Sequence, residues 1–437
     1  MKYYSTNGRV SVVSLEEAVV KGLAGDKGLF MPEQIKRLDS KVIDGLKDKS
    51  FHGIACLVAR SFFSEDVELE ILDELVKDTL SFDTPVVPVS ENCFSLELFH
   101  GPTLAFKDVG GRFMARLLGY FIRKRGLNDV NVLVATSGDT GSAVANGFLG
   151  VPGIRVFVLY PKGKVSPIQE CQFTTLGQNI VALEIDGTFD DCQALVKNAF
   201  MDESLNKHLT LTSANSINVA RFLPQSFYYF NAYAQLDRQG KAGELVVSVP
   251  SGNFGNITAG LFAARMGLPV KHFIAANNRN DVFLEYLKTG EYHSRSSVST
   301  IANAMDVGDP SNFARILDLY KKAGNVHQAI CNDISGYRYM DEEIAETMRK
   351  TYRETGYVLD PHGACGFQAL LDYGLKEGET GVFLETAYPA KFKETVDRIL
   401  NTDIVIPLKL QAFMKGVKQS VELGKDFQGF KQFLLTY

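Results

Sequence analysis

No apolar run in this chain approaches the ~20 residues that a membrane-spanning helix needs. Residues 1–19, MKYYSTNGRVSVVSLEEAV, carry no apolar core of the signal-peptide kind. The six cysteines (Cys56, Cys93, Cys171, Cys192, Cys331 and Cys365) are scattered without a CxxC pair, the pattern of reduced thiols rather than of a disulfide framework. The seven histidines form no HExxH, and no CxxC is present to join them in a zinc site, so no metal is expected. Basic residues do not exceed acidic ones: 46 Lys+Arg against 51 Asp+Glu give a net charge of −5. With no surplus to neutralise a phosphate backbone, nucleic acid is not an expected partner; a small anion held by locally placed charge is compatible. Together these absences point to the cytoplasm and to no membrane partner.

What is present is ordinary for a globular protein: 437 residues, 45% hydrophobic and 22% charged. At ~150 residues per domain this length predicts two or three domains, or two cores with a cleft. Up to residue 90 the chain reads as charged, helical pieces. Ser14 with Glu17 suits a capping box, and residues 64–80 show apolar spacing of a helix. Pro85 and Pro88 mark a boundary, dividing an N-terminal domain, 1–92, from a core, 93–437. In the core, β-branched runs at 131–136, 154–160, 179–185, 245–250, 272–276 and 382–386 alternate with helical stretches. Apolar on both faces, they predict open α/β sheets of mostly parallel strands. The stretch 277–312 is the least regular, and the last ~30 residues read as helical.

In such folds ligands sit where strands end and helices begin. After the 245–250 run comes Ser251, Gly252, Asn253, Phe254, Gly255, a turn that either cradles a phosphate on free N–H groups or only caps a helix. It is neither a Walker loop nor GxGxxG. Ser137, Gly138, Asp139 and Thr140 follow the 131–136 run and suit a carboxylate or phosphate, or a simple N-cap. Lys107, in FHGPTLAFKD, lies among apolar residues just ahead of a helix; such a lysine is either a surface partner of Asp108 or an amine of lowered pKa fit for a Schiff base. Asn215, Ser216, Asn218 and Arg221 form a polar group that either converges on a second anion, with Arg221 as the fork, or caps the next helix.

In this order and wording, FHGPTLAFKD, ATSGDTG, SANSINVAR, VSVPSGNFGN and LETAYPAKF resemble the bacterial and fungal threonine synthases, a family of fold-type-II pyridoxal-phosphate enzymes. The likeness extends from GDKGLFMPE through NAMDVGDPSN to PAKFKETV. It implies two open, mostly parallel α/β sub-domains with the cofactor between them, plus an N-terminal domain, the inner sub-domain at about 115–220 being movable. It implies that Lys107 carries pyridoxal 5'-phosphate as a Schiff base and is the catalytic amine. Ser251, Gly252, Asn253, Phe254 and Gly255 would hold the cofactor phosphate, and the Thr386 hydroxyl would face the ring nitrogen. Ser137, Gly138, Asp139 and Thr140 would hold the substrate α-carboxylate, with Asp139 also bordering the cofactor, and Asn215, Ser216 and Arg221 would grip the phosphate of O-phospho-L-homoserine. Tyr388 stands where the family usually has histidine. The implied reaction is γ-elimination of phosphate and β-addition of water to give L-threonine. The relatives are often monomers, so a monomer is expected by likeness. The rivals are a phospho-lyase releasing 2-oxobutyrate and ammonia and, from another class, a non-catalytic phosphate-binding protein.

Overall fold

The structure, a computed structural model, describes residues 1–126 and 129–437. In it the strands are β1 (Lys2–Ser5), β2 (Val13–Ser14), β3 (Phe30–Pro32), β4 (Val86–Ser90), β5 (Cys93–Glu97), β6 (Val130–Ala135), β7 (Ile154–Pro161), β8 (Ile180–Asp186), β9 (Thr210–Ser213), β10 (Glu244–Pro250), β11 (Val270–Asn277), β12 (Ile334–Arg338), β13 (Glu379–Glu385) and β14 (Val421–Gly424). All six predicted strands are there. Every residue of β6 and β13 is buried, which explains the near-continuous apolar run of β6 and the apolar centre of β13.

The chain divides into two compact units, one of Met1–Glu33, Lys107–Arg221 and Ile406–Tyr437, the other of Gln34–Phe106 and Phe222–Val405. Residues 1–92, expected as one N-terminal domain, therefore contribute to both. The first unit holds an all-parallel sheet of order β14-β8-β7-β6-β9, with a small β2-β1-β3 sheet. The second holds a sheet of order β12-β11-β10-β13-β5-β4, parallel except for β4. Strand order reverses beside β6 in the first sheet and between β10 and β13 in the second. In open α/β sheets ligands bind at such switch points, outside the strands' carboxyl ends, and the conspicuous turns follow β6 in one sheet and β10 and β13 in the other.

Three local expectations need correction. Residues 64–80 are not one helix: a first helix ends at Phe63, Ser64 caps it by donating to the Arg60 carbonyl, and the next helix spans Leu69–Thr79. Pro88 lies within a strand rather than at a boundary; β4 is an antiparallel edge strand, where a missing N–H is tolerated, and its register shifts beside Pro88. The C-terminal stretch is not wholly helical, because β14 adds to the edge of β8. Ser14 does cap its helix, its Oγ accepting from the Glu17 N–H at 3.2 Å. The Glu17 carboxylate pairs with Lys21 one turn on at 2.6 Å.

Five helices frame the turns: α1 (Lys107–Arg125), α2 (Asp139–Phe148), α3 (Val219–Phe222), α4 (Gly255–Arg265) and α5 (Pro361–Tyr373). Helix α1 packs against α3 so closely that a Cβ on Gly110 would fall 2.3 Å from the Arg221 carbonyl oxygen. In an open helix Gly→Ala gains about 1 kcal/mol. Here the obstacle is backbone, and overpacking of about 3 kcal/mol wins. Gly110→Ala is therefore expected to lower stability by about 2 kcal/mol, read as a lower urea midpoint at unchanged m-value.

Candidate active site

In the second unit, Ser251 follows β10 and is locked in place. Its N–H donates to the Ala276 carbonyl and its Oγ to the Val249 carbonyl, both at 2.8 Å, and Asn277 Nδ2 donates to its carbonyl at 2.8 Å. Gly252 is needed for close approach, since a Cβ there would meet Met305 Cα at 2.7 Å. Phe254 takes a left-handed φ of 60° and caps α4. Asn253 Oδ1 accepts from the Ser311 N–H at 2.6 Å and its carbonyl from Asn312 Nδ2 at 3.0 Å. Asn312 Oδ1 in turn accepts from Arg315 Nη1 at 2.6 Å. Arg315 is fully buried, its guanidinium 4.0 Å from the Phe222 ring centroid, and burial pushes its pKa down to about 9. A buried positive charge two hydrogen bonds behind the loop favours an anion in front of it. The first-turn amides of α4, which no helix satisfies internally, present donors and the positive end of the helix dipole. The turn thus fits the phosphate ester of pyridoxal phosphate.

The same unit carries Thr386 just past β13. Its carbonyl accepts from the Phe106 N–H at 2.8 Å, Ala387 bridges Ala105, and the Tyr388 N–H donates to the Leu104 carbonyl at 3.1 Å. The Tyr388 ring packs edge-on against Phe99, centroids 5.3 Å apart. Buried Lys391 donates to the Thr103 carbonyl at 2.8 Å, and the Tyr228 hydroxyl donates to the Phe106 carbonyl. FHGPTLAF and TAYPAK, far apart in sequence, are therefore strapped together, fixing Thr386 beside Phe106.

In the first unit, Lys107 is the first residue of α1 and half-buried. The turn after β6 is held by Thr136, whose Oγ1 accepts from the N–H groups of Gly138 and Gly141 at 2.9 and 2.8 Å. Gly138 sits at φ 147°, where a side chain would strike the Gln169 carboxamide. Asp139, 4% exposed, accepts from Gln169 Nε2 at 2.8 Å, and Ser137 and Thr140 are half-buried on either side. Asn215, following β9, donates to the Ala135 carbonyl at the end of β6 at 3.0 Å, with half-buried Ser216 beside it. Arg221 is buried, and its Nη1 donates to the Lys107 carbonyl at 3.2 Å. Asn218 plays the capping role instead: Oδ1 accepts from the Ala220 N–H at 3.0 Å, and Nδ2 donates to Val19 and Ser213 carbonyls.

So the first unit gathers Lys107, Ser137, Gly138, Asp139, Thr140, Asn215, Ser216 and Arg221, and the second holds Ser251, Gly252, Asn253, Phe254, Gly255 and Thr386. Sequence reasoning missed Gln169, Asn312, Arg315 and Lys391. Gln169 was findable, lying in the first turn of a helix that Ser166 caps and Pro167 opens, after a strand next to β6. No helix among the described residues is long and apolar enough to cross a membrane.

A family profile described as pyridoxal-phosphate dependent enzyme matches residues 80–386; profiles of the threonine synthase N terminus and C-terminal region match 2–80 and 363–434. A threonine synthase of Haemophilus influenzae is 44% identical over 435 residues, covering 100% of both chains. The crystal structure of threonine synthase from Escherichia coli superposes with a TM-score of 0.93 at 44% identity, covering 100% of each chain. That of the PLP-bound threonine synthase from Brucella melitensis gives 0.91 at 35% identity, covering 99% of this chain and 98% of that one. Matched from end to end by such proteins, and built on parallel sheets whose switch points carry these turns, the chain belongs to the threonine synthase family of pyridoxal-phosphate dependent enzymes.

Proposed function

We propose that this chain converts O-phospho-L-homoserine and water to L-threonine and phosphate, the last step of threonine formation. The observation that carries the reading is the hydrogen bond from buried Arg221 to the Lys107 carbonyl, which ties a phosphate-binding fork to the residue bearing the amine. The loop of Ser251, Gly252, Asn253, Phe254 and Gly255 would hold the cofactor phosphate, with the Thr386 hydroxyl at the ring nitrogen. When bound, the cofactor supplies an electron sink for the carbanion steps. Ser137, Gly138, Asp139 and Thr140 bind the substrate α-carboxylate, while Asn215, Ser216 and Arg221 bind its phosphate and fix both ends of the molecule. The Lys107 amine takes the proton from Cα and then from Cβ; the Cγ–O bond breaks and phosphate leaves with its electron pair. Water adds at Cβ, and protons return to Cγ and Cα, giving the methyl group and the α-hydrogen of threonine. Residues 115–220 lie inside the middle segment of the first unit, Lys107–Arg221. We assign that stretch the closing motion that excludes water during the carbanion steps.

The test is product analysis. Protein loaded with pyridoxal phosphate and given O-phospho-L-homoserine should release phosphate and threonine in equal amounts. Phosphate accompanied by 2-oxobutyrate and ammonia would make it a phospho-lyase. No phosphate at all would reject the substrate.

A further inference from the structure

β13 ends in Glu385, the residue before Thr386, and the Glu385 side chain is completely buried. Its carboxyl lies at the N-terminus of α5. The Asp360 N–H donates to Glu385 Oε1 at 3.2 Å, and a Cβ on Gly363 would fall 2.3 Å from the carboxyl carbon. Asp360, also completely buried, is the N-cap of that helix. Its Oδ1 accepts from the His362 N–H at 2.7 Å and from the His362 ring at Nδ1. The other ring nitrogen, Nε2, accepts from the Ala304 N–H at 3.1 Å. An imidazole that accepts at Nε2 and donates at Nδ1 is neutral. The outer oxygens, Asp360 Oδ2 and Glu385 Oε2, are buried with no hydrogen-bond partner among the described residues. Two buried acceptors at one helix end would be costly if both acids were ionised. One proton between the carboxyls satisfies both.

We propose that Glu385 and Asp360 share a single proton, Glu385 donating as a neutral acid to the Asp360 carboxylate, and that this pair positions Thr386. The role rests on the reading of Thr386 given above. The Glu385 carbonyl accepts from the Leu98 N–H at 2.9 Å, so main chain and side chain are both pinned where the strand hands over to Thr386. A doubly ionised pair would place a second negative charge one residue from the ring nitrogen and draw a proton onto it. The shared proton leaves that nitrogen to a neutral hydroxyl.

The surroundings agree. Burial, with the neighbouring Asp360 charge, pushes Glu385 well above the usual carboxylate range. Burial raises Asp360 too; the hydrogen bonds it accepts from His362 and Glu385 act in the opposite direction. On the neighbouring strand β5, Glu97 is the register partner of Glu385. Glu97 is occupied by the Tyr357 hydroxyl and His100 Nε2, each at 2.8 Å, and brings a further negative charge that favours the neutral acid.

Infrared difference spectra of the protein labelled at glutamate carboxyls should show a protonated acid at neutral pH. The band should vanish in Glu385→Gln. It should vanish also in Asp360→Asn, whose amide donates to an ionised Glu385. A raised folded-state pKa stabilises fully below the ordinary carboxylate range and loses that stability as pH rises. From pH 5 to 8 the unfolding constant of the wild type should therefore climb, relative to Glu385→Gln, by up to about tenfold per pH unit. In the cofactor-loaded protein, Glu385→Gln should keep the wild-type absorbance at neutral pH, and Glu385→Ala should shift it. If Glu385→Ala does not fold, the two conservative variants and the infrared band decide. Absence of the band, or parallel pH slopes, overturns the shared proton. Wild-type absorbance in a folded Glu385→Ala overturns the positioning role. A wild type that binds no pyridoxal phosphate overturns the reading of Thr386 instead, leaving the proton intact.

Discussion

Lys107→Ala is expected to lower phosphate release from O-phospho-L-homoserine by about ten-thousandfold or more. A positioned proton carrier alone contributes about a hundred- to ten-thousandfold, and Lys107 is assigned the covalent hold on the cofactor as well. The fold should be intact, because Lys107 heads α1 half-exposed and the bond from Arg221 goes to its main-chain carbonyl, which alanine keeps. The variant should therefore melt as the wild type does, bind pyridoxal phosphate only reversibly, and lose the adduct that borohydride traps. Activity within tenfold of wild type would remove Lys107 from the mechanism.

Arg221→Ala carries the next largest effect. A charge-assisted hydrogen bond to a dianion contributes about 1.5–3 kcal/mol, and a fork makes two. KM for O-phospho-L-homoserine should rise by about a hundredfold or more at ~1.4 kcal/mol per factor of ten. Arg221→Lys keeps the charge but not the fork and should fall between. Because Arg221 also donates to the Lys107 carbonyl, kcat should drop in Arg221→Ala as α1 loosens, and by less than KM rises. Unchanged KM with a lower melting temperature would make the residue purely structural.

The parallel strands were legible because burial on both faces leaves them few polar positions: 154–160 and 131–136 stand out as mostly apolar runs between helices. The edge strands were not. β14 is largely exposed, and β4 contains a proline, so neither shows the alternation or the apolar density that marks a strand. The site turns could be read as possible anion sites from glycine and hydroxyl residues at strand ends, and only their combined wording resolved which. Residues that act through distance had no local signal. Glu385 reads as one more strand residue, and its tie to Asp360 spans 25 positions. Lys391 meets Thr103 across 288.

The first unit is assembled from the beginning, the middle and the end of the chain. Val19 receives the Asn218 side chain at 2.9 Å, and β14 covers the flank of β8. A chain emerging from the ribosome thus cannot finish this unit until its last residues are made. Until then β8 is an uncovered sheet edge, and naked edges recruit other strands. Released chains truncated after residue 405 should hold a folded second unit beside a first that proteases still cut. A fragment spanning 107–221 should aggregate where the whole chain does not, so that stretch cannot be borrowed as a cassette.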